Sequence, residues 1–354
     1  MRSFEHGYLL EQPISQNLLM MVRTLGEHRG RQSLYQEQSP ELLETLKRVA
    51  MVQSVESSNR IEGVTVAADR LEAIVAKKTT PKGRSEQEVA GYRDVLASIH
   101  ANAKRMILTP ELILRLHRQI YARTPDRGGA WKEKENAILE VLPDGRQVIR
   151  FRPVSALATP EFIERLCTFY HQAMDQRQAE PLLLIGSFIF DFECIHPFWD
   201  GNGRIGRLLT LFFLYQAGYE VGRYISLERI IEESKETYYE VLLQSSHGWH
   251  EAKHDLRPWW NYFLGTLIAA YREFEERVGT ITTARGAKRE MVRQTVSRLP
   301  DQFSLREVRQ ACPGVSPDMV RLVLRELQKE NLVTCTGRGP GAIWKKRGNI
   351  PKRG

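Results

Sequence analysis

Apolar residues recur at helical spacing through most of the first 275 positions. In "ELLETLKRVAMVQSVESSNR", residues 41–60, Leu42, Leu46, Val49, Val52 and Val55 follow a helical period while Lys47 and Arg48 lie on other faces. This predicts an amphipathic helix, with Gly63 as its stop. "ADRLEAIVAKK" and "SEQEVAGYRDVLASIHANAK" continue the helical habit. In "LTPELILRLHRQIYA" Thr109 stands at the N-cap, with Pro110 and Glu111 in the first turn. The period vanishes between 123 and 158, where β-prone pieces flank "PDG" and predict a hairpin. Helices return over 160–175, 181–194 and 204–217, the last ended by Gly218, and two more are predicted over 226–245 and 256–275. There is no internal repeat, and the lack of βαβ alternation argues against a doubly wound nucleotide fold.

Past "GTITTARGAKRE" the pattern changes. "MVRQTVSRLP", "SLREVRQAC", "SPDMVRLVLRELQKENLVTC" and "TGRGPGAIWKKRG" predict three short helices, a strand, a Gly-rich turn and a second strand. That order is a winged helix-turn-helix, in which Ser304 and Ser316 take N-cap positions and Pro317 opens a helix. Such a domain contacts DNA, docks a protein or forms a homodimer. The chain's net charge of +8 is concentrated here: residues 281–354 hold 16 Lys+Arg against 6 Asp+Glu, the rest 35 against 37. A polyanionic partner fits this segment. Arg321, Arg325 and Lys329 share one helical face, although Glu326 and Glu330 interleave them in sequence.

Length and composition set outer bounds. The 354 residues, 42% apolar and 27% charged, have room for two or three domains. Cys167, Cys194, Cys312 and Cys335 are scattered, which argues against a disulfide framework or a zinc knuckle. "MRSFEHGYLL" does not read as a secretory leader. The longest apolar stretch, "PLLLIGSFIFDFECIHPF", is broken by Asp191 and Glu193 and reads as a buried helix rather than a membrane span. A cytoplasmic protein with no membrane partner is the expectation.

The densest chemistry lies in "HPFWDGNGRIGR", residues 196–207, a loop between two apolar helices. Gly201 and Gly203 let consecutive N–H groups converge, and a helix starting near Arg204 adds its unsatisfied donors and positive dipole end. The result is an anion seat. Arg204 and Arg207, three apart, offer rigid forks that match phosphate oxygens. Asp200 is out of place beside phosphate unless a divalent cation bridges the two. His196 can then act as the base for a hydroxyl attacking a nucleotide phosphate.

This stretch resembles the signature of the Fic family (filamentation induced by cAMP), His-Pro-Phe-x-Asp/Glu-Gly-Asn-Gly-Arg followed by a second Arg, without substitution. The resemblance implies a mainly α fold: a Fic-type helical core over 101–275 with a short β-hairpin flap, preceded by a helical region over 1–100. To these the chain adds the small winged-helix domain over 285–350. It also implies transfer of AMP from ATP to a hydroxyl of a protein substrate, which can be the chain itself, with Mg²⁺ or Mn²⁺. His196 resembles the general base and Asp200 the metal ligand. Gly201, Asn202 and Gly203 correspond to the anion pocket, Arg204 and Arg207 to the phosphate ligands, and Phe198 to the loop's buried anchor. "GGAWKEKENAILEVLPDGRQVIRFRP" resembles the flap that pairs with a target segment, and Tyr238 and Tyr239 are candidates for covering the adenine.

A carboxylate at Glu62, near a helix C-terminus, is unfavourable if buried alone and calls for a basic partner. "SSNRIEG" resembles the family's inhibitory motif Ser/Thr-x-x-x-Glu-Gly/Asn, matched by Ser58, Glu62 and Gly63. That likeness implies that Glu62 pairs with Arg207 and displaces the γ-phosphate. Two other readings stay open: removal of AMP by the same pocket, and a DNA-binding transcriptional regulator whose core senses nucleotide.

Overall fold

The computed structural model describes residues 2–5, 7–38, 40–126, 128–141, 145–279, 287–312, 315–337 and 342–347. Two compact units emerge. One comprises Met1–Arg31 with Ala50–Ala270, the other Gln32–Val49 with Tyr271–Gly354. Residues 1–31 and 50–100 therefore share a unit with the segment that follows them.

In chain order the elements up to the hairpin are α1 (Tyr8–Glu11), α2 (Gln16–Gln38), α3 (Pro40–Ile61), α4 (Ala68–Val75), α5 (Arg84–Asn102) and α6 (Pro110–Ile120). The hairpin is β1 (Ile138–Val141) and β2 (Gln147–Phe151). Then come α7 (Thr159–Asp175), α8 (Pro181–Ile195), α9 (Asn202–Gln216), α10 (Leu227–Glu233), α11 (Lys235–Ser246) and α12 (Arg257–Gly279). Short 3₁₀ turns occupy Ala103–Arg105 and Val221–Arg223.

Local chemistry accounts for the boundaries. Thr109 Oγ1 accepts the Leu112 N–H at 3.1 Å and Pro110 fills the first turn, which starts α6. Gly63, at φ 79°, ends the turn after α3, and its N–H donates to Arg60 O at 3.0 Å. α8 is apolar on every side, and each residue from Leu182 to Ile195 is buried, so it is the central helix of its unit. The single helix expected over 226–245 is two helices. Ser234 Oγ donates to Ile230 O at 2.9 Å, and this back-bonding serine stands between α10 and α11.

The expected hairpin is present as an antiparallel pair. Ile138 faces Phe151 and Leu139 faces Ile149, so Arg150 is the extra residue of a bulge. The "PDG" turn lies largely outside the described residues, with only Gly145 among them.

The second unit carries α13 (Ala287–Arg298), β3 (Gln302–Ser304), α14 (Leu305–Ala311), α15 (Pro317–Lys329), β4 (Val333–Thr336) and β5 (Ile343–Lys346). Its antiparallel sheet has the order β3-β5-β4, so one strand more than expected is present. β3 escaped the pattern because three residues are too few to show alternation; Phe303 is its buried member, opposite Trp344. Val292, Val296, Val308, Val323, Leu324 and Leu327 build the core beneath the sheet. Ser304 forms a capping box with Glu307, and Ser316 Oγ accepts the Met319 N–H at 3.3 Å, as the serine positions predicted. Most of the predicted Gly-rich turn lies outside the described residues.

Candidate active site

The loop 196–201 is fixed from several directions. His196 caps α8 in the left-handed region, φ 50° and ψ 61°, a conformation that costs a non-glycine residue about 1 kcal/mol and swings the chain out of the helix. Phe198 is fully buried, as the anchor reading required, and stacks on His117 with ring centroids 3.7 Å apart. Asn202 clamps the same residue: Phe198 N–H donates to its Oδ1 and its Nδ2 donates to Phe198 O, both at 2.8 Å. Both polar atoms of its amide thus bind the loop backbone. α9 begins at Asn202, two residues before the expected start, with Gly201 as N-cap at φ 83°.

Residues that the motif did not reveal complete the scaffold. Lys132 Nζ donates to Ile195 O at 3.1 Å and to Asn136 Oδ1 at 2.8 Å, and Asn136 Nδ2 donates to Phe198 O at 3.1 Å. Gly129 N–H donates to His117 Nδ1 at 2.8 Å. The proton of that imidazole is thus on Nε2, which donates to Asp200 O at 3.0 Å. Burial pushes His117 down to about 4, so it is a neutral strut. Loop segments without period conceal such contacts.

The two arginines part company. Arg207 Nε donates to Ser58 Oγ at 2.9 Å, and its Nη2 donates to Ser58 O at 2.9 Å and to Glu62 Oε1 at 2.7 Å. Ser58, Glu62 and Arg207 are thereby brought together across 149 and 145 residues of chain. Glu62 Oε1 packs directly against Gly203, where an added Cβ would have to push the carboxylate aside. Arg204 differs from expectation. It is 1% exposed, and its guanidinium is taken by Glu88, by Tyr121 Oη at 2.6 Å and by Asp200 Oδ2 at 3.3 Å. These partners place it behind the loop, bracing Asp200, rather than on the cavity wall.

That wall encloses about 840 Å³ and includes Glu62, Glu193, His196, Gly203, Arg207, Tyr238 and Tyr239, with Ile138, Leu139, Arg150 and Phe151 of the hairpin. Tyr238 is buried, while Tyr239 lies between the Arg150 and Lys235 cations, 5.4 and 5.8 Å from its ring centre. His196 Nδ1 has no hydrogen-bond partner among the described residues. Burial, with the Lys132 ammonium adding to it, pushes His196 down to about 4. The ring is neutral at physiological pH and able to accept a proton. Asp200 holds its own loop, accepting from Gly201 N–H at 2.7 Å and Tyr121 Oη at 2.9 Å, and remains half-exposed.

Comparison with known proteins matches this architecture. Residues 107–214 match the model described as "Fic/DOC family". "Protein adenylyltransferase Fic" of Nematostella vectensis is 26% identical over 220 residues, 59% of this chain and 45% of that protein. The chain thus spans about half the length of the curated relatives it matches. A Fic family protein from Desulfovibrio desulfuricans aligns with a TM-score of 0.61 at 22% identity, covering 95% of this chain and 97% of that one. A Fic domain containing signaling protein from Bacteroides thetaiotaomicron gives a TM-score of 0.60 at 22% identity, over 76% of this chain and 100% of that one. These likenesses establish the mainly α fold with its small hairpin.

Proposed function

We propose that the protein is an adenylyltransferase that moves AMP from ATP to a serine, threonine or tyrosine hydroxyl of a protein and releases pyrophosphate. Glu62 restrains it by holding Arg207. The observation that carries this reading is the convergence of three groups on one cavity: a neutral imidazole, a guanidinium, and a carboxylate already seated where an anion would bind. The activity in the names of the curated relatives supports the same reaction.

In this mechanism the target hydroxyl loses its proton to His196, its oxygen bonds to the α-phosphorus, and the bond to the β-phosphate bridging oxygen breaks. Arg207, once released, holds the far end of the polyphosphate, and the N–H groups at the start of α9 receive phosphate oxygens. Asp200 is the one residue of the loop suited to a divalent metal. Among the described residues no group of three or more His, Cys, Asp or Glu could hold a metal ion. Mg²⁺ or Mn²⁺ would accordingly rest on this carboxylate, substrate phosphates and water, a donor set that suits Mg²⁺. When bound, such an ion neutralises polyphosphate charge. Tyr238 and Tyr239 line the side available to the adenine. A target strand would add to the hairpin, where Leu139, Val148 and Ile149 are exposed. With Glu62 in place ATP is misaligned, and a small misplacement costs reactions of this kind heavily. Labelled ATP tests this: incorporation should rise in Glu62→Gly and vanish in Glu62→Gly/His196→Ala. Equal incorporation in both would defeat the assignment of His196.

One observation favours a second activity in the C-terminal unit, read as a winged helix that contacts duplex DNA. Glu326 pairs with Arg289 at 3.3 Å and Glu330 with Arg293 at 2.5 Å, drawing both acids toward α13. Arg321, Arg325 and Lys329 remain exposed on α15, with Asp318 beside Arg321 at 3.0 Å. Salt-sensitive binding to a random duplex tests it.

A further inference from the structure

Two buried acids lie on α8, and they are not equivalent. Asp191 is fully partnered: it accepts from Ser3 N–H at 3.1 Å, Ser3 Oγ at 2.7 Å and Trp249 Nε1 at 2.7 Å. Glu193 is 8% exposed, lines the active-site cavity, and has no hydrogen-bond partner for Oε1 among the described residues. A structural acid is expected to be satisfied like Asp191. Glu193 is not.

The neighbouring helix packs directly against it. A Cβ at Gly206 would collide with Glu193 Oε1, just as one at Gly203 would collide with Glu62 Oε1. Positions 203 and 206 are three apart on α9 and lie on one side of the helix, and a carboxyl packs against each. The charged and titratable groups around Glu193 are Arg207 from α9, Glu62 from the end of α3, Tyr238 and Tyr239 from α11, and Cys194 and His196 on its own chain segment.

We propose that Glu193 is a third determinant of anion occupancy beside Arg207 and Glu62: as the neutral acid it donates a hydrogen bond to a phosphate oxygen in the cavity, and as the carboxylate it repels that phosphate and competes for Arg207. This inference rests on the nucleotide reading above. Burial pushes Glu193 up to about 7, with Glu62 adding to the rise and Arg207 opposing it, so the group changes form near neutrality. A polyanion beside it favours the protonated form further. Binding should therefore take up a proton, and affinity should fall as pH rises through neutrality.

The test measures binding of ATP with Mg²⁺ by calorimetry in Glu62→Gly, where the seat is open, and in Glu62→Gly/Glu193→Gln, at pH 6 and pH 8. Ionisation of ATP itself is common to both proteins. Glu62→Gly should lose up to about tenfold more affinity between the two pH values than the double variant, because each pH unit above a pKa contributes at most a factor of ten. In two buffers of different ionisation heat at pH 7.5, Glu62→Gly should also show net proton uptake, a readout that does not depend on the double variant folding. Parallel pH dependence in the two proteins, or no proton uptake, overturns the role of Glu193 while leaving the nucleotide site standing. No binding in either protein overturns the nucleotide reading and this inference with it.

Discussion

Arg207 in the first unit and Arg325 in the C-terminal unit are the same side chain in opposite settings. Arg207 is 4% exposed and held by three hydrogen bonds to Ser58 and Glu62, so its charge has a fixed direction. Arg325 stands exposed in a row with Arg321 and Lys329, where its charge reaches outward and is screened by salt. Burial converts a cation from a source of long-range attraction into a positioned instrument. Arg204 carries the lesson further. Its terminal nitrogens go to Glu88, Tyr121 and Asp200, and it becomes a strut for another residue.

The contrast can be broken first at its catalytic side. His196→Ala should lower AMP incorporation by about a hundredfold to ten-thousandfold, the usual range for a general base, in an assay with labelled ATP. Glu62→Gly should raise incorporation by about a hundredfold, the scale of a misplacement relieved. An unchanged rate would mean that Arg207 is not under restraint.

Acid should strike the first unit through its buried imidazoles. His117 and His254 are both pushed down to about 4 by burial. The unfolded chain then binds more protons below its own His pKa of about 6.5. The stability these residues contribute is fully present above about 6.5 and is lost as pH falls toward 4, by at most about 3 kcal/mol each. Chemical denaturation at stepped pH reads this. Glu193 has the opposite sign: its raised pKa means that stability falls as pH rises from about 4.5 to 7, so Glu193→Gln should stabilise the protein at pH 8 and not at pH 4.5.

The C-terminal side should respond to salt rather than to geometry. Arg321→Glu with Arg325→Glu should weaken duplex binding similarly for all sequences and flatten the salt dependence by about 0.9 for each phosphate no longer neutralised. The smallest expected effect is Ser304→Ala, which removes a capping box and should cost about 1 kcal/mol in unfolding of that unit.

Much of the helical architecture was legible because period, caps and stops agree locally: Thr109, Ser304, Ser316 and Gly63 each act where their chemistry places them. β3 was not, being too short for a pattern, nor was the break at Ser234, which depends on one hydroxyl turning back on its own helix. Within the site, the pairing of Glu62 with Arg207 was anticipated, whereas the fates of Asn202 and Arg204 were not. Those fates are decided by Phe198, Glu88 and Tyr121, neighbours that a linear motif does not encode. Lys132, Asn136, His117 and Glu193 escaped for the same reason: each acts through a partner distant in the chain or through the want of one.

The central claim is that freeing Arg207 from Glu62 turns this cavity into an AMP-transferring site. The most direct test is intact mass spectrometry of the Glu62→Gly protein after incubation with ATP and Mg²⁺, alone and with candidate protein acceptors. The account predicts a mass gain of one adenylyl group on the chain or on an acceptor, lost when His196→Ala is added. A gain of a bare phosphate, or no gain on any protein while ATP is demonstrably bound, would contradict it.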